Sequence, residues 1–121
     1  MLKNILLVFL GGGFGSVIRY LISKIDIVSK YYPYDTLAVN IIGSLMLGVI
    51  IGYFLKNENI NSNYLIFFTT GFCGGFTTFS AFANESLKML TEGELVSFFS
   101  YLFFSIFFGI CAVFLGFYIS K

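Results

Sequence analysis

The sequence predicts an all-α membrane protein with four transmembrane helices. Three observations carry that prediction. Residues of the AVILMFWYC set make up 58% of the 121 residues and charged residues 11%, whereas a soluble domain usually carries about 25% charge. The apolar residues fall into four runs, each near the roughly 20 residues that a span requires. The links between them are short and polar, and the one proline, Pro33, falls in the first link, where its missing N–H costs nothing.

The first run covers about residues 4–23. It is as long as a full span and no A-x-A-like cleavage site follows it, so it reads as mature structure and not as a signal peptide. The second run, about 36–55, carries Asn40 and a series of glycines. A third, about 64–90, contains GFCGGFTTFSAFANE at Gly71–Glu85. Lipid-exposed backbone cannot give up its hydrogen bonds at bilayer depth. A glycine pair followed by hydroxyl residues therefore predicts a helix broken near Gly74–Phe79, beside something polar. The fourth run, about 95–119, carries Tyr101, Ser105 and Gly109 on one helix face. All four belong to one domain, residues 1–121.

Charge and cysteine usage exclude several classes. A net charge of +1 argues against nucleic acid and against a polybasic lipid-binding tail. The chain has no histidine, which removes the commonest metal ligand and proton shuttle. Cys73 and Cys111 lie in different apolar runs and read as small buried hydrophobes. No nucleophile–base pair marks an enzyme. Lys and Arg set orientation, and here they balance. Lys3, Lys56 and Lys121 stand on one side, with Lys24, Lys30 and Lys88, and Arg19 near that end of the first span, on the other. Either another feature fixes orientation or the chain inserts both ways, which permits an antiparallel homodimer. The pairs Gly11/Gly15 and Gly48/Gly52 suit close helix packing, within one subunit or between two.

Few polar residues lie inside the spans, so each can be weighed. The Asn40 amide suits helix–helix bonding or donation to an anion. Ser105 either bonds its own helix backbone or forms a polar track with Tyr101. Phe76, Phe79 and Phe82 recur every three residues as a helical stripe. Such a stripe is either core packing or a set of ring edges turned toward a small anion. Arg19 either snorkels or holds an anion at a pore mouth, and Glu85 either pairs with Lys88 or borders the track.

The segments GGGFGSVIRY, TLAVNIIGSLMLG and GFCGGFTTFSAFANE, in this order and spacing, resemble the signatures of the CrcB/Fluc fluoride channels over essentially the whole chain. The resemblance implies an antiparallel, dual-topology homodimer in a cell membrane, as in the plasma membrane of a prokaryote. It also implies two fluoride pathways that export the ion and lower its toxicity, and a structural sodium ion at the dimer centre. Carried onto this sequence, it places the sodium on the carbonyls of Gly74 and Thr77 and turns Phe79 and Phe82 toward the anion. Asn40 then donates nearby, Tyr101 and Ser105 belong to the track, and Arg19 and Glu85 match further motif positions. Two departures stand out. Ala81 replaces a threonine common in the family, and Gly109 occupies a position where the family can carry a serine. Ser80, Thr78 or water would then supply the missing hydroxyls.

Two other classes share some of these features. A small multidrug-resistance-type exporter resembles a mechanism built on a glutamate in the first span, and this first span has none. A non-transporting membrane assembly subunit would explain the glycines but not the hydroxyl-rich break. With no histidine and no acid in the apolar core before Glu85, passive conduction is expected rather than proton coupling.

Overall fold

The computed structural model describes residues 1–25, 32–57 and 60–121. Its helices are α1 (Leu2–Ile22), α2 (Tyr34–Lys56), α3 (Ser62–Ile66), α4 (Gly74–Phe76), α5 (Phe79–Thr91) and α6 (Leu95–Ser120). A π-helical segment, Phe67–Cys73, joins α3 to α4. No strand occurs among the described residues. Among the described residues, four helical units are long and apolar enough to cross a membrane: α1, α2, the composite third span Ser62–Thr91, and α6. Lys30, one of the residues in the charge count, lies outside the described residues.

Two close helix pairings organise the chain, and glycine makes both possible. Where α2 meets α6, a Cβ on Gly48 would run into the carbonyl of Val113 and lie 2.9 Å from the Phe117 nitrogen. Conversely, one on Gly116 would strike the Leu45 carbonyl. Where α1 meets the third span, a Cβ on Gly15 would strike the Phe72 carbonyl and lie 2.7 Å from the Phe76 nitrogen, and one on Gly75 would strike the Gly12 carbonyl. Small residues let membrane helices touch backbone to backbone, where dispersion replaces the hydrophobic effect as the source of affinity. The pairs Gly11/Gly15 and Gly48/Gly52 thus serve packing inside one chain.

The third span breaks at Thr77 and Thr78, not at the glycine pair. Gly74 is helical (φ −62°, ψ −37°), whereas Thr77 (φ −78°, ψ 156°) and Thr78 (φ −147°, ψ 121°) are extended. Gly75 stays helical because its missing side chain is needed against α1. The β-branched threonines tolerate extended backbone well. Thr78 then caps α5, its Oγ1 accepting from the Ala81 N–H at 3.1 Å, a typical N-cap bond.

Two sequence expectations change here. The Phe76/Phe79/Phe82 stripe assumed an uninterrupted helix, but the break separates its members. Phe76 is 4% exposed and stacked on Phe72 at 5.7 Å, whereas Phe79 is 79% exposed. Cys73 is buried, but Cys111 is exposed on the outer face of α6. Inside and outside are both apolar in a membrane helix, so composition cannot tell a lipid-facing cysteine from a core one.

Candidate functional site

The break sets up the site. At its centre is a reciprocal pair between α2 and the unwound backbone. Asn40 Nδ2 donates to the Thr78 carbonyl at 3.0 Å, and the Thr78 N–H donates to Asn40 Oδ1 at 2.7 Å. In a continuous helix that N–H would bond the Gly74 carbonyl. The Ala81 N–H, engaged by the Thr78 hydroxyl, is likewise withheld from the Thr77 carbonyl. The break thus withholds from two carbonyls the amides that would otherwise occupy them.

Around this point a groove of about 400 Å³ opens on one side of the chain. Asn40, Ser44, Thr69, Thr77, Thr78 and Ser105 supply its polar wall; Phe79, Phe82, Leu47 and Ile106 supply apolar surface. Gly74 also lines it. Ser44, Thr77 and Ser105 all sit well inside their spans, so this polar surface lies at bilayer depth.

A second recess of about 200 Å³ lies beyond the break, lined by Arg19, Ser23, Asp35, Thr36, Val39, Thr78, Ala81 and Glu85. Glu85 is held there by two hydroxyls. Thr36 Oγ1 donates to its Oε1 at 2.7 Å, and the Tyr101 hydroxyl donates to its Oε2 at 2.6 Å. Hydrogen bonds to charged groups are worth about 1.5–3 kcal/mol each, so α2, α5 and α6 are tied together at this carboxylate. Lys88 is not its partner; that lysine approaches Glu92 at 4.0 Å. Helical i,i+3 spacing allowed the Lys88 pairing, but the two hydroxyls on neighbouring helices reach the carboxylate first.

Tyr101 lines neither recess but touches a residue of each. It is fully buried, with its hydroxyl on Glu85 and its ring 5.1 Å from that of Phe82, which lies 5.7 Å from Phe79. On the α1 side, Arg19 Nε and Ser16 Oγ both donate to the Gly75 carbonyl at 3.2 Å, so Arg19 does more than reach for the interface: it fastens α1 to the turn before the break.

A family model described as "CrcB-like protein, Camphor Resistance (CrcB)" matches residues 6–117. The chain belongs to the CrcB family. It is 45% identical to a protein of Phocaeicola vulgatus named fluoride-specific ion channel FluC, with 99% of this chain and 100% of that protein covered. FluC proteins of Flavobacterium psychrophilum and Pyrococcus abyssi are 43% and 42% identical, each alignment covering 99% of this chain and 98% of the relative. With its four span-length apolar helices, this CrcB chain is a multi-pass membrane protein.

The residues singled out from the sequence divide in this CrcB fold. Asn40, Gly74, Thr77, Phe79, Phe82 and Ser105 share the groove; Arg19 and Glu85 share the second recess. Ser80 is exposed and lies 3.3 Å from the Thr78 hydroxyl, joining neither wall directly. Sequence reading missed Thr36 and Ser44. A signal was present, because Thr36, Asn40 and Ser44 recur every four residues and so share a face of α2. Thr36 falls at the very start of the run, where a hydroxyl draws no attention.

Proposed function

We propose that this chain is a passive, fluoride-selective channel that works as an antiparallel, dual-topology homodimer and exports fluoride from the cell. The observation that carries this is the groove at the break, where Phe79 and Phe82 stand beside Asn40 in a wall rich in hydroxyls. Fluoride is small and strongly hydrated, so a narrow path must replace lost water with donors. Conduction also requires that each contact be weak enough to release the ion. Hydroxyls and the positive edges of phenylalanine rings meet both demands. The relatives' printed name, fluoride-specific ion channel, supports the same substrate.

The groove's exposure supports the dimer. Polar surface at bilayer depth is tolerated only when protein or a water-filled cavity covers it. Phe79, 79% exposed in the single chain, needs a partner surface if it is to border a path. A second, inverted copy supplies that surface and accords with the balanced lysines and arginines. It also suits a structural sodium ion at the centre. The carbonyls of Gly74 and Thr77 are the acceptors that the break deprives of their helical amides, and such carbonyls suit a cation. When bound, the ion supplies positive charge near the anion's route. Arg19 and Glu85 border the second recess, which in this reading adjoins the pathway beyond Phe82. The exporter alternative requires an embedded acid on α1, which carries only Lys3 and Arg19 as ionisable side chains apart from Tyr20.

Purified protein in liposomes is expected to release trapped fluoride far faster than trapped chloride. Fluoride efflux no faster than from empty liposomes would end this reading. For the arrangement, a cysteine placed at Ser62 in an otherwise cysteine-free chain is expected to react with impermeant reagent from both sides of the membrane. Labelling from one side alone would rule out the antiparallel pair.

A further inference from the structure

Most hydroxyls within the spans are already engaged. Thr69 donates to the Leu65 carbonyl, Thr77 to Cys73, Ser100 to Ser97 and Ser120 to Gly116. Ser16 donates to Gly75 and Thr36 to Glu85. This is the usual fate of such groups, since bonding a carbonyl of the same helix satisfies a hydroxyl at bilayer depth. Two hydroxyls on the groove depart from it. Ser105 Oγ is buried with no partner among the described residues. Ser44 bonds neither the Asn40 carbonyl one turn before it nor any other described residue, and it too lines the groove.

The position of Ser44 gives that freedom a use. It follows Asn40 by one turn on α2, and its Oγ lies 3.9 Å from where a Cβ on Gly109 would stand. Gly109 follows Ser105 by one turn on α6. Ser44 therefore extends into the gap that Gly109 leaves in the line Tyr101–Ser105–Gly109, from the opposite wall. Apart from the chain neighbours of Gly109 and the nearby backbone of α6, no other described atom lies within 4 Å of that Cβ position, so the gap is open but for this hydroxyl.

We propose that Ser44 is an anion-contacting residue of the pathway, donating its O–H to fluoride at the level where α6 offers only glycine. The inference rests on the fluoride-channel reading and adds to it a donor on α2, one turn beyond Asn40. An unengaged hydroxyl costs free energy at bilayer depth unless water or an ion meets it, and the groove admits both.

The test compares four proteins in liposomes by fluoride efflux: wild type, Ser44→Ala, Gly109→Ser, and Ser44→Ala combined with Gly109→Ser. Loss of one donor predicts a roughly three- to ten-fold slower efflux for Ser44→Ala. The double variant returns a hydroxyl to the same gap from the α6 side, and its efflux is expected to recover toward wild type. Each variant's elution on size exclusion reports its assembly, which these small changes should leave alone. Unchanged efflux in Ser44→Ala overturns the proposal. So does a loss that Gly109→Ser fails to restore, because the hydroxyl in the gap is then not what matters. Wild-type protein that passes no fluoride refutes the channel reading, and this inference with it, before any variant is compared.

Discussion

Phe82→Ile is expected to cut fluoride efflux from liposomes by roughly ten-fold, the factor that about 1.4 kcal/mol on a barrier produces, while the protein elutes as before. Isoleucine keeps much of the apolar volume, so the contact with α6 survives. What it removes is the ring and its positive edge. Phe82 is the groove residue whose ring bridges Phe79 on one side and Tyr101 on the other, so its loss changes the groove wall without disturbing the hydrogen bond from Tyr101 to Glu85 behind it. Efflux equal to wild type would take Phe82 out of the pathway.

Gly15→Ala is expected to be strongly damaging, and for a different reason. The added methyl would strike the Phe72 carbonyl and lie 2.7 Å from the Phe76 nitrogen and 3.1 Å from the Gly75 carbonyl carbon. These are all backbone atoms, which cannot swing aside as a side chain can. Overpacking commonly costs about 1–3 kcal/mol and occasionally more, and a backbone obstacle places this case at the high end. Moving α1 away would also lengthen the bonds from Ser16 and Arg19 to the Gly75 carbonyl. Gly13→Ala is the matched control, because its Cβ would meet nothing within 4 Å. Thermal unfolding in detergent is expected to show a clearly lower midpoint for Gly15→Ala and little change for Gly13→Ala. Equal midpoints would mean that α1 and the third span do not pack as closely as the structure has them.

Together these variants separate two uses of the third span. Its first half, through Phe76, is a packing element whose glycines let α1 approach. The half that begins at Phe79 adds Phe79 and Phe82 to the groove, which Thr69 and Gly74 of the first half also line. The join at Thr77 and Thr78 serves both, since it ends the packed helix, engages Asn40 and caps the next helix.

Much of this was legible from residues alone. Four apolar runs with polar links require four spans, because backbone in lipid has no other means of satisfying its hydrogen bonds. Hydroxyls and glycines inside the third run pointed to a break and a polar site beside it. The presence of Asn40, Phe82 and Ser105 at that site was implied by the family resemblance, since type and position left each open between packing and a polar path. The break's exact place within Gly74–Phe79 could not be read from the residues. Both the glycine pair and the threonine pair were candidates, and close contact with α1, which no local pattern records, kept Gly74–Phe76 helical.

Helix packing, by contrast, chose the partner that each polar group takes. Glu85 had Lys88 within helical reach, yet Thr36 and Tyr101 hold it, from helices far away in sequence. The phenylalanine stripe divided because its period was interrupted, sending Phe76 inward and Phe79 outward. Cys111 faced out because an apolar environment lies on both sides of a membrane helix. The sequence determined the spans and the neighbourhood of the site, since burial of backbone in lipid is a local demand met within each run. Tertiary structure determined the hydrogen bonds and open gaps, since these depend on which helix faces come together and how closely glycine lets them approach.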